Sequence, residues 1–572
     1  GGALAIISYG ADKAEILKGS ALALAEDIVV TAYHVVSQAA DIEVTNIKGK
    51  KVKVDGLLGV NKALDIALIK LKSKVQALPI GSVDSLTPDA RLFALGSNES
   101  GQLIIAEGTF RRIVDIPSVG KVLEVSMPVP DQFRGGPLLD INGQLVGMMV
   151  MLERLKFGLP IGTLVSVPRT GPAVPFKSQA PVNFFDTAEG NYFGARVARG
   201  LNESMAARVF LEKAIKINPS DLDANLMLAD IAYDQRDYSA AAAAYRKASE
   251  LNPTSAPAFY GLGSTLLKQT QYQEAAQALE KAAALGHTGK ALYLDLGGTY
   301  EALQDYAKAA AAYEKYIGLG PADAWKAEMS LGVCRTKLGD FPGAIAALTS
   351  AAKTQPRDLK VLLALTEAYE KAGQLEKAES TYIAMAEINP PEAKTYYRQI
   401  YRIYDAAGRN DRAVAPAQKV IELEPDNETN HYYLGLTYFK AQKYEEAIGA
   451  FQKALAAKAD FPHAWFQIGS SYIQMKKFRE AADAYKKYAD LVPDDPSGWL
   501  SIGVAYMQAK DFEAALPPLK KCVELKPDNA VAQFNLAIVY VNLKDNFSAK
   551  EIYNKLQTLD PALAERLRKH IR

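Results

Sequence analysis

The feature that most limits how this chain can fold is a repeat of about 34 residues, with slips of one, from about Ala188 to Pro561. A proline or its substitute closes the units: Pro219, Pro253, His287, Pro321, Pro356, Pro390, Pro425, Ala459, Pro493, Pro527 and Pro561. An alanine recurs twelve residues before each, from Ala207 and Ala241 through Ala515 and Ala549. Proline lacks an N–H and clashes with the preceding turn, so it stops a helix. The small residues mark where two helices approach closely. Each unit is therefore expected to be an antiparallel helix pair that cannot bury its apolar face alone, and stacking supplies the core.

The pattern resembles the tetratricopeptide repeat (TPR). One complete unit reads Ala464-Trp465-Phe466-Gln467-Ile468-Gly469-Ser470-Ser471-Tyr472, followed by Ala481, Tyr485 and Pro493. About eleven repeats are expected over 188–561, with a polar capping helix at 562–572. In this family helix A lines the concave face. By register, the last four repeats place Tyr432, Leu436, Phe439, Phe466, Ile473, Leu500, Val504, Met507, Phe534, Ile538 and Val541 there. Such contiguous apolar surface marks a binding site, here for an apolar helix or extended protein segment. The charged residues Lys360, Glu367, Glu370, Lys371, Arg398 and Arg402, and Asp223, Asp230 and Asp234, read as solvated faces.

The first 168 residues have a different character. They contain Lys18-Gly19-Ser20-Ala21-Leu22, Thr31-Ala32-Tyr33-His34-Val35-Val36, Leu64-Asp65-Ile66-Ala67-Leu68 and Phe133-Arg134-Gly135-Gly136-Pro137-Leu138. They close on a strand at Leu159–Pro168. In order and spacing these resemble the histidine, aspartate and nucleophile segments of a trypsin-like serine protease of the HtrA/Deg branch. The resemblance implies an all-β double barrel and remnant triad positions His34, Asp65 and Arg134.

The last position decides the chemistry. Where the family has serine this chain has Arg134, and a guanidinium has no lone pair with which to attack a carbonyl. Ser126 lies on the preceding strand, outside the loop. Gln132 and Phe133 also depart from the family pattern, which puts the oxyanion hole in doubt. No catalytic residue is therefore expected. Arg134 is expected to block or repurpose the old site by pairing with Asp131 or Asp65.

Composition narrows the remaining options. Lys and Arg number 66 against 65 Asp and Glu, a net charge of +1 with no basic stripe, which argues against nucleic acid as partner. No run is long and apolar enough to span a bilayer. No metal cluster or glycine-rich phosphate loop is visible, so neither a cofactor nor a small-molecule substrate is expected. Cys334 and Cys522 read as unpaired with each other, and Cys522 as a small core residue. Residues 169–187, with Pro172, Pro175 and Pro181, read as a semi-stiff linker. The chain begins Gly1-Gly2-Ala3-Leu4 without an initiator methionine and is expected to be processed or trimmed. The family resemblance implies the cell envelope, on the periplasmic side, where association with a membrane complex would be open to it.

The reading is multidomain: an all-β trypsin-like pseudoprotease domain at 1–168 tethered to an all-α TPR superhelix, working as a non-catalytic interaction scaffold. The alternative is an HtrA/Deg-like serine endopeptidase whose nucleophile is altered in this copy.

Overall fold

The computed structural model describes residues 2–98, 102–153, 155–169 and 171–571. The chain divides into two compact units, Gly1–Gln304 and Asp305–Arg572.

The first unit opens with β1 (Ala3–Tyr9), β2 (Glu15–Ala25), β3 (Ile28–Ala32), β4 (Asp41–Asn46), β5 (Lys51–Val52), β6 (Val54–Asn61) and β7 (Ile66–Leu71). It continues with β8 (Arg91–Ser97), β9 (Leu103–Ile116), β10 (Gly120–Ser126), β11 (Pro137–Leu139), β12 (Leu145–Leu152) and β13 (Leu155–Pro160). Strands β8 to β13 close into a barrel in the order β10-β13-β12-β11-β8-β9. The first seven form an open sheet, β5-β4-β1-β2-β3-β7-β6, so the expected double barrel is one closed barrel beside a half-barrel. Part of the open edge is covered: Leu57 of β6 exchanges two backbone hydrogen bonds of 2.8 Å with Val174. The closing segment also differs from expectation. The strand ends at Pro160, and Ile161–Val165 is helical.

β12 shows how the β portion is organised. Its sequence, Leu145-Val146-Gly147-Met148-Met149-Val150-Met151-Leu152, is apolar throughout and buried throughout. Successive side chains on a strand point to opposite faces. Met149 and Met151 face the barrel interior with Leu92, Phe110, Phe133 and Leu138, and Val146 joins them because the pairing of β12 with β11 slips by one residue there. Met148, Val150 and Leu152 face a second core. That core runs from Leu4, Ile6, Leu22 and Val30 through Phe157, Leu159 and Phe184 to Phe193, Val197, Phe210 and Leu211.

The last four of these residues belong to the first repeat or its approach, so the boundary read at 168 and 188 is not a free tether. Helix Ala188–Gly200 turns Phe193, Val197 and Ala198 onto the β portion, and residues 171–187 run over its surface. The reason is local: Phe176 lies between the prolines and Phe184 just after them, and each is buried on the β portion.

The second unit is all helix. Pairs such as Glu428–Lys440 with Tyr444–Ala457, and Pro462–Gln474 with Phe478–Leu491, repeat along it and end in the capping helix Pro561–Arg568. Close approach is real at the glycine of helix A. A Cβ at Gly435 would lie 2.5 Å from Phe451, and one at Gly503 2.4 Å from Leu519. The turn between helices is built on one left-handed residue per repeat: Gly339, Gly373, Gly408, Gln442, Lys476, Lys510 and Lys544. That residue ends helix A and redirects the chain. Cys334 and Cys522 are both buried. Among the described residues, no helix is long and apolar enough to cross a membrane.

Candidate functional site

The β portion brings His34 and Asp65 together. His34 lies on the short helix Tyr33–Val36, directly after β3. Asp65 follows a 3-10 turn, Lys62–Leu64, and adopts the left-handed region with φ 54°, a conformation aspartate tolerates better than most residues. This bend starts β7 and aims the carboxylate at His34. Asp65 Oδ2 is 2.6 Å from His34 Nδ1, and Oδ1 accepts the His34 backbone N–H at 2.8 Å. The Tyr33 N–H donates to the Asp65 carbonyl at 2.9 Å. Asp65 is fully buried. A carboxylate in this position fixes the imidazole's orientation and leaves Nε2 as the reactive nitrogen. That nitrogen is buried without a hydrogen-bond partner.

Position 134 is held by its own turn. Asp131–Phe133 forms a 3-10 turn, and the Arg134 N–H donates to the Asp131 carbonyl at 3.1 Å. The guanidinium grips the same residue: Nη2 is 2.7 Å from Asp131 Oδ2, and Nε donates to the Asp131 carbonyl at 2.7 Å. Asp131 is thus the partner of Arg134, and Asp65 is committed to His34.

Strand β2 fixes the loop from below. Ser20 N–H donates to the Arg134 carbonyl at 2.9 Å, and Ser20 Oγ donates to the Gln132 carbonyl at 2.8 Å. Thr31 Oγ1 donates to the Ser20 carbonyl at 2.7 Å. Gly135 has φ +81°, and a Cβ there would lie 2.3 Å from Thr31 Oγ1. Phe133 is fully buried, with its ring against Gly96. The loop keeps its paired glycines for these packing reasons. An aromatic anchor and a salt-bridged arginine occupy the positions before them.

Two contacts were not legible from motifs. The Phe185 ring lies 5.1 Å from the His34 ring, and Phe184 meets Tyr33 edge-on at 5.6 Å. Both phenylalanines come from the segment read as linker. The adjacent Phe-Phe pair just after the proline-rich stretch was the available signal.

In the helical unit the eleven groove residues are all half-buried. Most pack against side chains of their own or the next repeat. Phe466 sits edge-on to Tyr485 and Tyr488 at 5.1 and 5.2 Å, and Tyr432 lies 5.0 Å from Phe461. Leu436 and Phe439 join one cluster, Ile473 another, and Leu500, Met507, Phe534 and Ile538 a third with the capping helix. Arg566 of that helix lies over the Phe534 ring at 5.1 Å. Val504 and Val541 are in none of these clusters.

Several charges expected to be simply solvated are instead paired. Arg398 meets Glu424 at 2.5 Å, Arg402 meets Glu370 at 3.4 Å, and Lys337 meets Glu367 at 3.7 Å. In the first unit, Asp230 takes the Tyr245 hydroxyl at 2.7 Å and Arg199 at 3.1 Å. Among the described residues no His, Cys, Asp and Glu group could hold a metal ion.

Comparison with known proteins agrees with the two parts. Residues 19–148 match the trypsin-like peptidase domain model. Residues 260–324, 336–400, 466–530 and 506–569 match tetratricopeptide repeat models. Residues 205–282 and 407–488 match the model of anaphase-promoting complex, cyclosome, subunit 3.

The chain is 27% identical over 145 residues to anti-sigma-I factor RsgI9 of Acetivibrio thermocellus, covering 25% of this chain and 20% of that protein. It is 29% identical over 140 residues to a probable periplasmic serine endoprotease, DegP-like, of Chlamydia trachomatis, covering 23% and 28%. It is 24% identical over 153 residues to the chloroplastic protease Do-like 1 of Arabidopsis thaliana, covering 24% and 35%. The chain therefore spans between 20% and 35% of the length of these relatives. A solved protease of M. tuberculosis in its active form is 21% identical, covers 30% of this chain and 84% of that one, and gives a TM-score of 0.27. The chain carries a trypsin-like peptidase domain, homologous to the HtrA/Deg proteases, fused to an array of tetratricopeptide repeats.

Proposed function

We propose that this chain is a non-catalytic protein–protein interaction scaffold in which a pseudoprotease domain is joined to a TPR superhelix. The observation that carries this reading is the nucleophile loop. Arg134 stands where a serine would attack, and its N–H, which would serve a developing oxyanion, is spent on the Asp131 carbonyl. The partner is a protein segment, apolar and helical or extended, laid along the C-terminal repeats, where aromatic and aliphatic side chains follow one another on successive helix A faces. The likeness to a probable periplasmic endoprotease and to an anti-sigma factor supports a place in the bacterial cell envelope, on the periplasmic side, where the scaffold would serve as an assembly subunit of an envelope complex.

One observation favours the alternative, an endopeptidase altered in this copy: the His34–Asp65 pair keeps a hydrogen bond of 2.6 Å. A serine-directed fluorophosphonate probe separates the two. The scaffold reading expects no covalent label on the full chain, and labelling that disappears in His34→Ala would overturn it. Purification of the native complex, with identification of the co-purifying proteins, tests the partner.

A further inference from the structure

The retained dyad has a neighbour that neither the family likeness nor the scaffold reading accounts for. Segment 182–186 of this same chain lies across it. The Val182 N–H donates to the Ser37 carbonyl at 3.0 Å, three residues after His34. Phe184 is only 2% exposed, and its ring meets Tyr33 at 5.6 Å and Phe193 of the first repeat helix at 6.4 Å. Phe185 leans over the imidazole at 5.1 Å.

The turn that presents these rings is closely built. Asn183 Oδ1 accepts the Phe185 N–H at 3.3 Å. The Thr187 hydroxyl donates to the Phe184 carbonyl at 2.6 Å and accepts the Gly190 N–H at 3.0 Å, so one residue ends the turn and caps the helix. Buried Asn191 donates to the Phe185 carbonyl at 2.5 Å and to the Thr187 carbonyl at 2.9 Å. Gly190 packs so near that a Cβ would lie 2.0 Å from the Phe184 carbonyl oxygen.

We infer that the His34–Asp65 pair, with Tyr33 and Ser37, is a socket for the chain's own Phe184–Phe185 turn, and that this socket seats the first repeat helix on the β domain. Asp65 holds His34 through two hydrogen bonds, one to the ring Nδ1 and one from the backbone N–H, so the imidazole offers a fixed flat face. Phe185 covers that face and seals Nε2 from water. Phe184 ties the socket to Phe193. The dyad then acts as a joint and needs no nucleophile, which accounts for two triad positions persisting where the third is arginine. Any ligand entering the old cleft at His34 has to displace Phe185 first.

Diethyl pyrocarbonate acylates a histidine nitrogen only when its lone pair is reachable, and exposed His463 is an internal reference in the same molecule. Full-length protein, digested and read by mass spectrometry, should show His34 modified at least about tenfold more slowly than His463, with Phe185→Ala removing most of that protection. Hydrogen exchange at the Val182 amide of the unaltered chain should be slow, which checks the seat without any variant. His34 as reactive as His463 in the unaltered chain, unchanged reactivity in Phe185→Ala, or unprotected Val182 would each overturn the inference. None of these readouts depends on whether the chain hydrolyses peptides.

Discussion

Arg134 holds Asp131 at two points, with Nη2 on the carboxylate and Nε on the backbone carbonyl, each at 2.7 Å. The arginine side chain is 16% exposed and the aspartate 68%, so the contact is a clamp at the protein surface. Such pairs contribute no more than about 1 kcal/mol. The loop itself is held by Ser20, Phe133 and Gly135. Arg134→Ser should therefore fold with stability within about 1 kcal/mol of the parent, by denaturant titration, and should gain no peptide hydrolysis. Turnover of a fluorogenic peptide by that variant would mean that the loop can rearrange around a serine.

Gly135 is the position least able to change. A methyl group there would meet Thr31 Oγ1 at 2.3 Å and the Ser20 carbonyl at 2.4 Å, on a backbone with φ +81°. Overpacking and left-handed strain add, so Gly135→Ala should cost about 3 kcal/mol or more. Loss of near-ultraviolet circular dichroism at lower denaturant checks this.

The helical unit should be open to improvement at its turns. Lys476 and Lys510 have φ of 59° and 60° at positions where Gly339, Gly373 and Gly408 stand in other repeats. Lys476→Gly and Lys510→Gly should each stabilise the array by roughly 0.5–1 kcal/mol by removing a left-handed Cβ penalty. A rise in the guanidinium midpoint is the readout.

Groove residues should separate into two kinds. Phe466 packs against Tyr485 and Tyr488, so Phe466→Ala should lower stability by about 2–3 kcal/mol as well as weaken partner capture. Val504 and Val541 belong to none of the adjoining clusters, and charged substitutions there should leave thermal stability nearly unchanged while reducing partner recovery. Normal recovery by a folded Val504→Glu, Val541→Glu double variant would place the partner elsewhere.

His287 stands where most repeats have proline, stacked on Tyr260 at 4.4 Å. Burial holds its pKa below the ordinary 6.5. The unfolded chain then binds the proton more readily, so stability is full above pH 6.5 and falls as pH drops through the lowered folded value. His287→Ala should flatten that part of the stability–pH profile, measured by thermal melts between pH 7 and pH 5.

The helix pairs were legible in the sequence because their determinants are local: a proline to stop each second helix, and glycine and alanine where helices touch. The His34, Asp65 and Arg134 positions were legible because short motifs fix them in order, but the sequence left Asp131 and Asp65 both open as partner of Arg134, and the fold chose Asp131 by committing Asp65 to His34. The arrangement around them was not. Whether the first sheet closes depends on long-range strand pairing, and only the second barrel does so. The stretch 169–187 reads as a tether by its prolines. Its Phe176 and Phe184 become core residues only because the folded β portion offers them apolar surface. The groove aromatics likewise read as open surface by register, yet rings such as Phe466 find partners on their own helix B. Local chemistry decides which residues start, stop and bend the chain. Which face of a ring is buried, and against what, is decided only when distant segments pack.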